Sequence, residues 1–292
     1  MKIPGAVASA IADATQRPFQ LLRATAVDGG DINQARRLEG VDGSLYFLKL
    51  NATQHHAMFV AEAAGLQTIA ASNLIRVPQA IAHGTADGLC FLVLEHLQLG
   101  GRGNARQLGE QLAALHRHTA DRFGFSQDNF IGTTSQPNDW NDDWLDFWRE
   151  QRLGFQLRLA AKNGYGGELQ SQGEKLMAAL PVFFESYSPQ PSLLHGDLWG
   201  GNHAYLADGT PLIFDPAVYY GDRECDLAMT ELFGGYPTEF YAAYRSAWPL
   251  DAGYDRRRNL YNLYHILNHT NLFGGGYVRQ AGQMMTRLLA SI

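Results

Sequence analysis

Between Phe19 and Leu50, apolar and polar residues alternate at a period close to two, punctuated by Asp-Gly pairs at 28–29 and 42–43. Such alternation puts one face of a strand on a core, and Asp-Gly tolerates the positive φ of a tight hairpin, so three antiparallel strands are predicted. HHAMFVAEAAGLQTIAAS (55–72) changes to an apolar spacing of three and four and predicts a helix. VPQAIAHG (77–84) and GLCFLVLEHL (88–97) then predict two further strands joined by the turn TADG. Ahead of all of these, the Ala-rich start reads as an N-terminal helix rather than a leader, since Pro4 interrupts its short apolar run.

Beyond Leu97 the pattern becomes helical. Amphipathic segments recur at 104–119, 139–163, 168–187, 222–234, 238–248, 256–273 and 276–292. The order predicts an α+β fold in two lobes: a small antiparallel sheet with one helix over 1–96, and a larger, mainly helical lobe over 97–292. The Gly-rich EHLQLGGRG between them is short enough to act as a hinge. A length of 292 residues suits such a division.

Composition narrows the function. The chain is 46% hydrophobic and 18% charged, with a net charge of −6 and no long basic block, which argues against nucleic acid as a partner and tolerates a cationic substrate. The run DRRRN at 255–259 reads as a solvated helix face. No segment has transmembrane length. Two cysteines cannot build a disulfide framework, and Cys90, inside LCFLVLE, reads as buried, so a reducing cytoplasm is expected.

The candidate chemistry centres on LLHGDLWGGNHAY (193–205), where His195, Asp197 and Asn202 form H-x-D-x-x-x-x-N. Phosphoryl transfer needs a carboxylate beside the acceptor hydroxyl, oxygen donors for Mg²⁺ and a cation on the phosphates of ATP. Asp197 fits the first role. Asn202 and Asp215, which follows the apolar strand of PLIFDP, fit the second. Lys49 fits the third: it alternates with apolar residues in LYFLKL, and a buried ammonium there would need phosphate or Glu62 as its partner. The bland alternative for Lys49 is an outward-facing strand lysine. The turn DGGDIN (28–33), including Gly29, Gly30, Ile32 and Asn33, offers backbone N–H groups to phosphates. The backbone of Glu95, His96 and Leu97 could pair with an adenine edge, or be an ordinary strand end.

These residues sit in stretches that resemble the fructosamine kinase (ketosamine-3-kinase) family, a branch of the protein-kinase-like fold that also holds aminoglycoside phosphotransferases and choline kinases. The matching stretches are GGDIN, YFLK, AEAAGL, LVLEHL, LAALH, DNFIGTTSQPN, LLHGDLWGGN, DPAVYYGDRECDLAM and LYHILNHTNLFGGGY, spread over almost the whole chain. The resemblance implies ATP-dependent phosphorylation of the 3-hydroxyl of a sugar attached to an amine, with a free ketosamine or glycated lysine of a protein as substrate. ATP and Mg²⁺ would lie between the lobes. It implies Asp197 as proton acceptor, Asn202 and Asp215 on magnesium, and Glu95–Leu97 at the adenine. Trp199 and His203 are expected on the substrate; Asp222 and Asp226, in YGDRECDLAM, read as fixing the segment after Asp215, with Asp222 near the acceptor amine. Some eukaryotic members carry a cysteine in the glycine-rich turn; Asp31 stands there in this chain, so a thiol switch is unavailable and its carboxylate must be turned from the phosphates or offset.

Two rival functions stand beside this one: a kinase of the same fold acting on an aminoglycoside, choline-like or other amino-alcohol, and a catalytically inactive nucleotide-binding regulator. Other motifs have plainer readings. His265 and His269, four apart on a predicted helix, are assigned to packing or substrate contact rather than zinc, because no third ligand is evident. His116 is expected to brace the catalytic loop. Trp140, Trp144 and Trp148 form a stripe at helical spacing and are expected in the core.

Overall fold

Strands β1 (Leu21–Val27), β2 (Gln34–Gly40), β3 (Leu45–Ala52), β4 (Ala80–Ala86) and β5 (Leu89–Glu95) pair antiparallel in the order β1-β2-β3-β5-β4. They belong to a computed structural model that describes residues 3–27 and 33–292. Alternation in β3 decides what each face of the sheet does. Leu48 and Leu50 point to one side, where helix α1 (Gly5–Thr15) lays Val7 and Ile11 against them together with Leu38, Phe91 and Val93. Burying each such aliphatic side chain is worth about 1.5–3 kcal/mol. Lys49 therefore points the other way, toward helix α2 (His56–Ser72). The Asp42-Gly43 pair sits in the β2–β3 turn, where Gly43 takes a φ of +82° and Asp42 Oδ1 accepts from Ser44 N at 3.0 Å. The Asp28-Gly29 pair lies outside the described residues.

After α3 (Ala105–His116), a short hairpin of β6 (Asn129–Ile131) and β7 (Thr134–Gln136) precedes a long helical run. That run comprises α4 (Trp144–Phe147), a π-helical turn over Trp148–Leu153 and α5 (Gly154–Lys162), and α6 (Glu168–Ala179) follows it. Strand β8 (Ser192–Leu194) leads into the Asp197 loop. The chain then forms a hairpin of β9 (His203–Tyr205) and β10 (Pro211–Ile213) and returns as β11 (Tyr219–Gly221), antiparallel to β8. Helices α7 (Glu224–Leu232), α8 (Thr238–Ala247), α9 (Tyr254–Phe273) and α10 (Gly276–Ala290) complete it. Most of α9 is buried, including the polar Asn262, His265 and Asn268.

The chain divides into two compact units, 1–104 with 203–216 and 105–202 with 217–292. This differs from a single cut at 96/97, for a specific reason. Gly100 N donates to Tyr205 O and Ala207 N to Gln98 O, each at 3.1 Å, and Ile213 N donates to Arg76 O at 3.0 Å, so the β9–β10 hairpin is stitched to the sheet unit. The small strand pairs were not foreseen, being three residues per strand and too short for alternation to register. Trp144 and Trp148 are core residues, but Trp140 is 39% exposed and stacks on Tyr220 instead. The helix starts only at Trp144, behind the Asp143 cap, so helical spacing does not reach back to Trp140. No helix among the described residues is long and apolar enough to cross a membrane.

Candidate active site

Within the sheet unit, Lys49 is buried with 6% exposure, and its Nζ lies 2.7 Å from Glu62 Oε1 and 2.5 Å from Asp215 Oδ1. Strand alternation delivers Lys49, α2 delivers Glu62, and β10 delivers Asp215, which takes a φ of +58°, a left-handed conformation that Asp tolerates better than most residues. Burial pushes the Lys49 ammonium down, but the Asp215 and Glu62 carboxylates more than offset it and hold the pKa above the usual lysine value. Burial pushes Glu62 up to about 7 against the pull of Lys49. The outward-lysine alternative is thereby removed: this ammonium is fixed, desolvated and charged.

Asn33 accepts from Asn51 Nδ2 at 2.7 Å. Gly29, Gly30, Asp31 and Ile32 lie outside the described residues. The β3–β5 ladder ends at Tyr46↔Glu95, leaving the backbone of His96 and Leu97 beyond the sheet. The Glu95 side chain is taken by Arg76 and by Gln79 N, so only the backbone there could read a base edge. His203 is half-buried, its ring edge-on to Tyr205.

In the helical unit, the Asp197 loop is held from behind. Asp226, on the first turn of α7 and 1% exposed, accepts from His195 N at 2.7 Å and Gly196 N at 2.8 Å. Its Oδ2 also lies 3.2 Å from His116 Nε2, while His116 Nδ1 meets the Tyr244 hydroxyl at 2.8 Å. His116 thus braces the loop, through Asp226. Burial would raise the Asp226 pKa, but the His116 bond and charge and the Gly196 N–H hold it below the usual carboxylate range.

With its backbone so anchored, Asp197 stands half-buried at the loop tip. Asn202 Nδ2 donates to Asp197 O at 2.8 Å, which leaves the Asn202 carbonyl oxygen as a hard donor. In the sheet unit the Asp215 carboxylate, 44% exposed, is likewise an oxygen donor of the kind Mg²⁺ takes. Asn202 and Asp215 belong to different units. Trp199, two residues after Asp197, is 40% exposed.

Gly196 has a φ of +83°, and a Cβ there would lie 2.0 Å from Ala217 O. Where protein kinases place Arg in this motif, only glycine fits here. Gly196→Ala is expected to cost about 1–3 kcal/mol in stability and to shift Asp197 enough to remove most turnover; thermal melting and a phosphorylation assay on the same preparation test it.

Asp222, expected to fix its segment and to lie near the acceptor amine, has no exposed surface. It is fully buried, accepting from Tyr187 OH at 2.9 Å, Glu224 N at 3.0 Å and the Tyr261 hydroxyl, so it is a structural acceptor. Sequence reasoning missed Gln136, whose Nε2 donates to Ala217 O at 3.1 Å, and Asn129, whose Nδ2 donates to Val218 O at 2.6 Å; together they fix the segment against which Gly196 packs. It also missed Arg152, fully buried between the rings of Phe147 and Tyr219.

The family model described as fructosamine kinase matches residues 4–291. A Synechocystis protein named "probable ketoamine kinase" is 49% identical over 97% of this chain and 96% of its own length. The Arabidopsis thaliana "protein-ribulosamine 3-kinase, chloroplastic" is 42% identical over 88% of this chain and 80% of its own. Among solved structures, a candidate fructosamine-3-kinase from Haemophilus somnus superposes with a TM-score of 0.88 at 30% identity, covering 97% of this chain and 96% of that one. A macrolide 2′-phosphotransferase from Brachybacterium faecium shares the fold alone, with a TM-score of 0.54 at 16% identity over 96% and 97% of the two chains.

Proposed function

This chain belongs to the fructosamine kinase family, and from that premise we propose that it transfers the γ-phosphoryl group of ATP to the 3-hydroxyl of the sugar of a ketosamine. The carrier of that sugar is a free amine or a glycated lysine. The observation that carries the reading is the buried Lys49 between Glu62 and Asp215. A desolvated ammonium held by two carboxylates is a costly arrangement for stability alone, and it suits the binding of triphosphate oxygens.

In this mechanism Lys49 holds the α- and β-phosphates and Glu62 keeps its ammonium in position. Asn202 and Asp215 would hold Mg²⁺, which would supply neutralisation of charge on the phosphates. Asp197 orients the sugar hydroxyl and takes its proton as the oxygen bonds to the γ-phosphorus. The bond from that phosphorus to the bridging oxygen breaks, and ADP leaves. The protein contributes chiefly fixed position and fixed charge. Trp199 and His203 face the substrate in this reading, and the backbone of 95–97 takes the adenine edge. Cys90 and Cys225 are free and buried, which suits the cytoplasmic location the reading carries.

Saturating Mg·ATP at a hundred times its Kd is expected to raise stability by about 2.7 kcal/mol, read as an increase in Tm. ADP release on adding fructosamines or ribulosamines, with the phosphate placed on the 3-oxygen by NMR, is the decisive assay. If every ketosamine is inert while another amino-alcohol drives ADP release, the substrate class is overturned. If Mg·ATP leaves Tm unchanged, the kinase reading is overturned with it.

A further inference from the structure

The Trp199 ring does not stand alone. It meets Phe233 edge-on at 6.4 Å between centroids, Phe233 lies 5.2 Å from His269, and His269 lies 5.5 Å from Phe273 and 4.9 Å from Tyr277. Three of these rings rank among the exposed large hydrophobics of the surface: Trp199 at 40%, Phe233 at 38% and Phe273 at 60%. A run of touching, solvent-facing aromatics starting two residues from the Asp197 carboxylate is unfavourable in water and marks a binding surface.

We propose that Phe233, His269, Phe273 and Tyr277 extend the surface begun by Trp199 into a shelf that holds the amine carrier of the ketosamine, selecting aromatic and alkyl groups attached to its nitrogen. This rests on the proposed ketosamine kinase activity and names the part of the substrate the phosphoryl chemistry does not touch.

Three features fit that occupant. Rings present CH-binding faces to an alkyl or aromatic carrier and attract the positive charge of a secondary ammonium. His269 is compatible with that charge: its Nδ1 is bonded to His265 O at 2.8 Å, and burial holds its pKa below the usual histidine value, so the ring is neutral near pH 7. The turn between Phe273 and Tyr277 is Gly274-Gly275-Gly276, and Cβ atoms at Gly275 and Gly276 would meet nothing within 4 Å. No side chain of that turn rises between the two rings. The loop end of the shelf is fixed, since Tyr236 OH donates to Trp199 O at 3.2 Å.

The test uses ketosamines of one sugar made from methylamine, butylamine and benzylamine. The benzylamine compound is expected to show a KM about tenfold below that of the methylamine compound, the scale of a good aromatic contact. Phe273→Ala and Tyr277→Ala should each shrink that ratio to about threefold or less, chiefly through KM rather than kcat, whereas Tyr277→Phe should keep it. Phe273 is so exposed that its replacement leaves the core unaffected, and the melting curve of each variant checks folding. Equal KM values across the three carriers, or a benzylamine preference that survives both alanine variants, overturns the shelf. Calorimetric titration of the same compounds without ATP separates the two levels. If none is phosphorylated, the kinase reading fails, while the shelf stands or falls on whether benzylamine still improves Kd and Phe273→Ala removes the gain.

Discussion

Replacing Asp197 with Asn is expected to lower kcat by about 10²- to 10⁴-fold, the contribution of a positioned general base, while Mg·ATP affinity changes little. The exchange keeps the shape of the side chain and its half-buried place beside Asn202. It removes the charge that, in the proposed mechanism, orients the acceptor hydroxyl and the lone pair that takes its proton. The loop itself should survive, because its anchors are backbone groups: His195 N and Gly196 N on Asp226, and Asn202 Nδ2 on Asp197 O. Single-turnover phosphorylation and a nucleotide titration, run side by side, read the two parts separately. Near-parental turnover in the variant removes Asp197 from the role of base.

Asp226→Ala should injure the fold and the chemistry together. The carboxylate is buried and satisfies His195 N, Gly196 N and His116 Nε2 at once. Its removal leaves the two buried backbone N–H groups, His195 N and Gly196 N, without this acceptor, at about 1–3 kcal/mol each. The sum, roughly 2–6 kcal/mol, corresponds to a fall in Tm of roughly 4–24 °C. Turnover should drop as well, since the backbone carrying Asp197 loses its anchor. The penalty depends on pH with a definite sign. The folded-state pKa of Asp226 lies below its unfolded value, so the stabilisation is complete above about pH 4 and fades as pH falls through the lower, folded pKa. The gap between parent and variant should therefore narrow in acid. A gap that widens there would show that the carboxylate is not the anchor.

The residues of this site differed in how plainly they could be read. Lys49 was conspicuous because β3 alternation made a charged residue anomalous among Leu48, Leu50 and their neighbours, and its pairing with Glu62 followed from the helix after the strand. Asp197 and Asn202 declared themselves by local spacing. Interactions closing over long stretches of chain left no such pattern. Nothing near Gln136 announces that it will reach Ala217 O, and Gly196 gives no local hint that Ala217 will press against its Cα. Asp222 reads in YGDREC as fixing its segment, but nothing local shows that Tyr187 and Tyr261, distant in sequence, are the groups that enclose it. The helices and the larger sheet were legible because three or more turns, or seven residues of alternation, average over local noise. The three-residue strand pairs offer nothing to average.

The β9–β10 hairpin makes the sheet unit discontinuous along the chain, and this limits how the protein can be cut. A fragment stopping at Asn104 would hold Lys49 and Glu62 but forfeit Asp215, leaving the ammonium with one counter-charge and the Arg76 carbonyl without the N–H of Ile213. Limited proteolysis at the 104/105 junction should therefore not release a nucleotide-binding domain that stands by itself. During synthesis the first hundred residues must wait for the segment around Asp215, more than a hundred positions later, before their charged cluster can close.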